Sequence, residues 1–213
     1  MSLRGYEAIS WLNNRLLRNL AMTNQKIIIM ARTESNEFKN GTKAPNFTLL
    51  NTVDDSLVSL NEAKGEKGTV IMFICNHCPF VIHVNSELVK MANDYQQKGI
   101  GFIAISSNDV DNYPQDSPEL MKQLAKEENY PFPYLYDENQ EVAKAYDAAC
   151  TPDFYVFDAD LKAVYHGQLD ASRPGNGKPV TGIDLRTSLD FLLKNKSALE
   201  NQKPSMGCGI KWK

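Results

Sequence analysis

Two cysteines separated by two residues, in Cys75-Asn76-His77-Cys78, are the side chains of this sequence best suited to chemistry. That spacing lets one thiol close a disulfide with the other, so a mixed disulfide formed at one sulfur is released by its neighbour. The attacking species is the thiolate, which a helix N-terminus favours because its first N–H groups lack intrahelical partners and carry positive partial charge. Apolar residues run from Val70 to Ile74, and Phe80, Val84, Leu88, Met91 and Tyr95 then recur at helical spacing, with Pro79 suited to the first turn. The motif therefore reads as the turn between a buried strand and a helix. Cys75 is expected to attack and Cys78 to resolve. His77, lying between them, is expected to stabilise the thiolate as a partly charged imidazole and to make the couple more oxidising. A zinc site needs a second ligand pair, and Cys150 and Cys208 each stand alone, so the spacing favours redox chemistry. The rival is a non-enzymatic module in which Cys75, Cys78 and Cys150, with a histidine or Cys208, hold zinc or copper.

A chain of 213 residues with 42% hydrophobic content and a formal charge of −3 is expected to form one domain with terminal extensions. Acidic and basic residues are mixed, which gives no reason to expect nucleic acid as a partner. The longest N-terminal apolar run, Ile27 to Ala31, is too short for a membrane span or a signal-peptide core, so a cytoplasmic protein is expected. Four cysteines, only two of them close in sequence, do not make a disulfide scaffold. Residues 1–33 differ from the rest, with five basic residues against Glu7 alone. Leu3 to Leu20 reads as a basic amphipathic helix, a surface-binding or docking element or a leader outside the fold, and Met30 is an alternative start. The domain proper is expected over 34–195, with 196–213 a tail docked through Ile210 and Trp212.

The elements that must position the cysteines follow from pattern. Phe47 and Leu49, then Leu57, Val58 and Leu60, flank a polar NTVDDS and suggest a β-hairpin. A strand at Ile100 to Ile105 leads into Ser106-Ser107-Asn108-Asp109. If that strand is parallel to the one before Cys75, Asn108 joins Asn76 as a candidate substrate contact, although turn chemistry accounts for these polar residues equally well. Ser117-Pro118 starts a helix expected to bury Leu120, Met121, Leu124 and Ala125. A short strand is expected near Phe132 to Tyr136, a short helix at Glu141 to Tyr146, a strand at Phe154 to Phe157 with Ala163 to Leu169 as hairpin partner, and a last helix at Leu185 to Leu193. Thr151-Pro152 opens the hairpin. A cis bond there would turn backbone groups of Thr151 towards the thiols, where an extended substrate can pair with them. Cys150 is expected either as a small buried hydrophobe or as a third thiol, and Cys208 as a packed tail residue or a second resolving thiol. His83 is expected at the surface or in packing, and His166 has no evident partner.

GTKAPNFTL resembles the entry segment of the alkyl hydroperoxide reductase and thiol-specific antioxidant superfamily. FICNHCPFVIH, SNDV, CTPDFYVFD, YHGQLDASRPG and GCGIKWK together resemble its peroxiredoxin-like, thioredoxin-family members, over about Met30 to Lys213. The resemblance implies an α/β thioredoxin-like fold with a central mixed β-sheet flanked by helices, an N-terminal β-hairpin extension and a cis Pro152. His166 and Gly209 depart from it, standing where Arg and Asn are common. Peroxiredoxins read Pro-x-x-x-Thr-x-x-Cys. With Cys78 as that cysteine, Cys75 replaces the Thr and Ile71 the Pro, and no arginine occurs between Arg32 and Arg173 to polarise a peroxide. Thioredoxin itself carries a buried Asp where this chain has Thr69, which leaves His77, Asp153 or water to take the proton from Cys78. The expected function is thus thiol–disulfide exchange, without a cofactor beyond the dithiol, between a disulfide-containing protein or small molecule and a thiol electron donor. The chain is expected to be a monomer or homodimer. A thiol peroxidase with Cys78 as its peroxidatic residue is the alternative within the enzyme class.

Overall fold

The computed structural model describes residues 32–196 and 198–213. The Leu3 to Leu20 helix and the alternative start at Met30 lie outside the described residues. Gly68–Phe73 (β4) is apolar from Val70 onward and buried along its whole length, as expected of a strand covered on both faces. It pairs in parallel with Ile100–Ser106 (β5), from Gly68 opposite Ile100 to Phe73 opposite Ile105. The carboxyl ends of both strands therefore share one edge of the sheet, and the Cys75 turn and the Ser106 to Asp109 loop emerge side by side.

Around this pair the sheet is mixed. Tyr134–Tyr136 (β6) continues it in parallel beyond β5. Asp153–Asp158 (β8) and Ala163–Gly167 (β9) run antiparallel on the other side of β4. The hairpin of Thr48–Asn51 (β2) and Leu57–Ser59 (β3) extends the edge by pairing antiparallel with β6. The resulting order, β3-β2-β6-β5-β4-β8-β9, is a central mixed sheet of thioredoxin-like type. Leu60–Ala63 (α1) follows the hairpin, capped by Ser59 and Glu62 in a reciprocal capping box.

Pro79–Gln96 (α2) is the platform of the cysteine turn. Its inward face buries Phe80, Val81, Val84, Leu88, Met91 and Tyr95, each contributing about 1.5–3 kcal/mol on full burial. Pro118–Glu127 (α3) begins with Ser117 Oγ accepting the Leu120 N–H at 3.4 Å. It buries Met121 and Ala125, whereas Leu120 is 42% exposed, against expectation. The inward stripe follows the i, i+4 pair, and Leu120 sits one step round the helix from it. Glu141–Ala145 (α4) and Ile183–Leu193 (α5) complete the helices introduced by pattern. In the core Tyr155 packs edge-to-face on Phe73 and Tyr146, and Tyr146 edge-to-face on Phe157. The Tyr146 hydroxyl donates to Pro45 O at 2.8 Å, and the Tyr155 hydroxyl to Tyr146 O at 3.1 Å, so neither polar tip is stranded.

A second, three-stranded sheet was not expected as strands. Thr33–Glu34 (β1), Met206–Gly209 (β10) and Cys150–Thr151 (β7) form it in the order β1-β10-β7. Ile210, just beyond β10, is buried in the main core, while Trp212 is 44% exposed with Lys144 Nζ 5.9 Å from its ring centre. Among the described residues, no helix is long and apolar enough to cross a membrane.

Candidate active site

All four cysteines are free thiols and all are buried. Cys78 is the N-cap residue of α2, with Pro79 following as the first helical residue, whereas Cys75 lies three residues earlier, where the chain leaves β4. That difference moves the charge. Burial works against a Cys78 thiolate, but contacts from the Cys208, Cys75 and Thr151 side chains and the Val81 N–H outweigh it and hold the thiol well below its usual range. Cys75 is pushed well above that range, first by the neighbouring Cys78 side chain, then by burial and the Asp116 charge. One contact opposes the Cys78 charge: its Sγ lies 3.1 Å from the Thr151 carbonyl, which accepts only from the protonated thiol. The thiolate was expected on Cys75, whereas the helix terminus and the surrounding contacts favour it on Cys78.

Asp116, in the 3-10 turn Pro114–Asp116, is fully buried and organises the motif. Its Oδ1 accepts the N–H groups of Asn76 at 2.8 Å and His77 at 3.3 Å. Its Oδ2 accepts from Asn108 Nδ2 at 2.8 Å and lies 2.6 Å from His77 Nδ1. The His77 ring also stacks on Tyr113. The His77 ring thus lies between Asp116 and Tyr113, turned to the acid and the aromatic ring. Asn76 is held as well, donating to Gln115 O at 2.9 Å and accepting from the Tyr134 hydroxyl at 3.0 Å. Asn108 is 3% exposed, and its Oδ1 accepts the Lys211 N–H at 2.8 Å. The side-chain amides of both asparagines expected to contact substrate are hydrogen-bonded within the protein, Asn108 buried and Asn76 half-buried, and they hold the turn and the tail.

The Thr151–Pro152 peptide bond is cis, and Thr151 faces both thiols. Its Oγ1 lies 3.4 Å from Cys75 Sγ, and its carbonyl is the group 3.1 Å from Cys78 Sγ. Cys150 is fully buried and pushed up by burial and the nearby Asp153, in keeping with an inert, packed thiol. His166 has a partner after all: its Nε2 lies 2.9 Å from Asp153 Oδ1, both groups being buried. Asp153 also accepts from the Tyr155 hydroxyl at 3.2 Å, so this proposed proton acceptor is occupied. His83 lines the same small cavity as Pro152, with its Nε2 2.5 Å from Ser172 Oγ. The Arg173 guanidinium donates to Asp170 O, Ser172 O and Gln168 Oε1, each at 2.6 Å, and is held by its own loop.

The tail supplies the least expected part of the site. Strand β10 pairs antiparallel with β7, Cys208 opposite Thr151 and Gly209 opposite Cys150. The neighbouring Cys78 side chain and burial push the Cys208 thiol up. The rival metal set is not brought together: among the described residues, Cys75, His77 and Asp116 are the group whose ligating atoms lie within 4.8 Å of one another. Asp116 could not have been singled out by pattern, since Asp109 and Asp111 stand in the same polar stretch.

The crystal structure of an uncharacterized conserved protein from Geobacillus kaustophilus is similar at 63% identity and a TM-score of 0.84, covering 85% of this chain and 96% of that one. A hypothetical protein from Sinorhizobium meliloti 1021 is similar at 46% identity and a TM-score of 0.83, covering 85% and 98%. The thiol-disulfide oxidoreductase ResA of Bacillus thuringiensis subsp. konkukian (strain 97-27) is 25% identical over 135 residues, 62% of this chain and 71% of that protein. The AhpC/TSA family model matches residues 40–166, more than half of the chain, including the cysteine turn and Thr151-Pro152, and the chain therefore belongs to the AhpC/TSA family.

Proposed function

We propose that this protein is a thiol–disulfide oxidoreductase whose Cys75–Cys78 dithiol exchanges disulfides through a mixed disulfide. The observation that carries the reading is the pair of thiols against one residue, Thr151, at the start of a helix, and the lowered Cys78 and raised Cys75 thiols support Cys78 as the attacking group. The Cys78 thiolate attacks a substrate disulfide, forming a mixed disulfide and releasing one substrate thiolate. Cys75 then gives up its proton and attacks Cys78 Sγ, and the second substrate sulfur leaves as a thiol. The result is a Cys75–Cys78 disulfide and two reduced substrate sulfurs, and an external thiol donor reverses it. This order inverts the roles expected of the two cysteines, because the helix terminus belongs to Cys78. A disulfide-containing substrate and a thiol donor in a reducing, cytoplasmic setting suit a catalytic dithiol of this kind.

A peroxidase reading draws on the same acidic Cys78, which also precedes a proline. It lacks the threonine, replaced by Cys75, and Arg173 is bound within its own loop. The deciding experiment follows the fully reduced, metal-free protein reacting with hydrogen peroxide beside its reaction with oxidised glutathione. Ready exchange with glutathione and peroxide consumption no faster than an ordinary thiolate are expected, both being lost in Cys78→Ser. Rapid peroxide consumption makes Cys78 a peroxidatic residue instead. Slow reaction with both, together with stoichiometric metal in protein purified without chelator, moves the assignment to a metal-binding module.

A further inference from the structure

Strand β10 lies on the main-chain edge of Thr151, where the thioredoxin-like reading expects an extended substrate to pair. The chain has filled that edge with its own tail, and the residue set opposite Thr151 is a cysteine. The seat is built for close approach: a Cβ on Gly207 would lie 1.9 Å from Thr151 O, so only glycine fits. Both flanks are fastened. Ser205 N–H donates to Ser35 Oγ at 2.9 Å and Ser205 Oγ to Gly167 O at 2.7 Å, while the Lys211 N–H donates to Asn108 Oδ1 and its carbonyl accepts the Asp109 N–H at 2.8 Å. Asn108 in turn binds Asp116, which holds the Cys75 to Cys78 turn, so tail and turn are tied through two side chains. Thr151 thus has the Cys75 and Cys78 sulfurs against its side chain and carbonyl, and Cys208 opposite it in the strand pair, which brings the third thiol to the same residue.

We propose that the tail is an internal substrate strand and that Cys208 is a second redox partner of Cys78, competing with Cys75 to resolve mixed disulfides. The proposal rests on the thiol–disulfide reading above. In its step, the Cys208 sulfur attacks Cys78 Sγ of a mixed disulfide. The Cys78–Cys208 bond forms, the bond from Cys78 to the substrate sulfur breaks, and the departing thiolate takes the proton that Cys208 gives up. Cys78 and Cys208 are oxidised and the substrate disulfide is reduced to two thiols, the same electron count as resolution by Cys75. The device gives Cys78 a resolving thiol on either side, one from its own turn and one from the far end of the chain.

The test uses oxidised glutathione and full-length Cys75→Ser, with acid quenching, alkylation and peptide mass mapping. The expected result is a Cys78–Cys208 cross-linked peptide, two glutathiones released per protein and no glutathione retained, with the adduct retained on Cys78 only in Cys75→Ser/Cys208→Ser. Wild-type protein, free of any folding defect from substitution, is expected to yield both Cys75–Cys78 and Cys78–Cys208 peptides in mixed glutathione buffers. A glutathione adduct that persists on Cys78 in Cys75→Ser, with Cys208 alkylated and no Cys78–Cys208 peptide in wild type, overturns the proposal. If wild type still forms Cys75–Cys78 in that case, the thiol–disulfide reading stands without it. If Cys78 reacts with glutathione in no variant, both fall together.

Discussion

At the scale of single residues the site turns on which sulfur carries the charge, and that choice has a pH signature. Cys78 is held below its usual range in the folded, reduced protein, while in the unfolded chain it titrates near about 8.5. A lowered folded value means that Cys78 contributes its full stabilisation above the unfolded value and loses it as the pH falls through the folded one. Cys75 and Cys208 are raised and act with the opposite sign: they favour the folded state below about 8.5 and lose that contribution as the pH climbs towards their folded values. The urea midpoint of the reduced wild type, taken as a difference from Cys78→Ser, is therefore expected to shrink as the pH is lowered from about 8.5. A difference constant over that range would place the thiolate elsewhere. The two cysteines of the motif were legible from spacing alone, as was their place at a strand-to-helix turn. Their division of labour was not, because it depends on whether the helix begins one residue after Cys78 or one turn earlier. The fate of His77 depended on Asp116, an acid that sequence pattern cannot tell from Asp109 and Asp111 in the same polar stretch.

At the scale of elements, strong periodicity was readable and short irregular pairing was not. The run before Cys75 and the five apolar positions after it specify β4 and α2 because each repeats its own period over a full element. Strand β10 has no such signature: Met206-Gly207-Cys208-Gly209 is poor in β-branched residues, and its pairing is set by its neighbours and by the room that Gly207 leaves. That makes Gly207 the most sensitive position of the tail. Gly207→Ala forces β10 away from β7, an overpacking cost of about 1–3 kcal/mol. The expected outcome is a melting temperature lower by roughly 2–12 °C, with amide exchange of residues 206–211 accelerated and that of α2 unchanged. Unaltered exchange in the tail would mean that the strand tolerates the extra methyl by a shift elsewhere.

At the scale of the whole molecule, the tail closes a circuit that runs from β7 through Cys208 and Lys211 to Asn108, Asp116 and back to the cysteine turn. Ile210 adds an apolar anchor in the main core, and its backbone N–H donates to Ala149 O at 3.1 Å. The resemblance to thioredoxin-family proteins made the sheet, the helices and the Thr-Pro bend legible, whereas this closure joins segments more than a hundred residues apart and leaves no periodic trace. Its consequence is selectivity. Main-chain pairing with Thr151 is how an extended protein substrate would be held, and β10 already occupies that edge, whereas a small disulfide needs only a path to Cys78 Sγ. Wild type is therefore expected to reduce oxidised glutathione faster than the disulfides of insulin, and lifting the strand in Gly207→Ala should raise the insulin rate at least several-fold relative to the glutathione rate. The ratio is the informative quantity, because a general loss of stability or of thiolate lowers both rates together. An unchanged ratio in a variant whose tail exchange is shown to be accelerated would mean that β10 does not stand in the way of protein substrates.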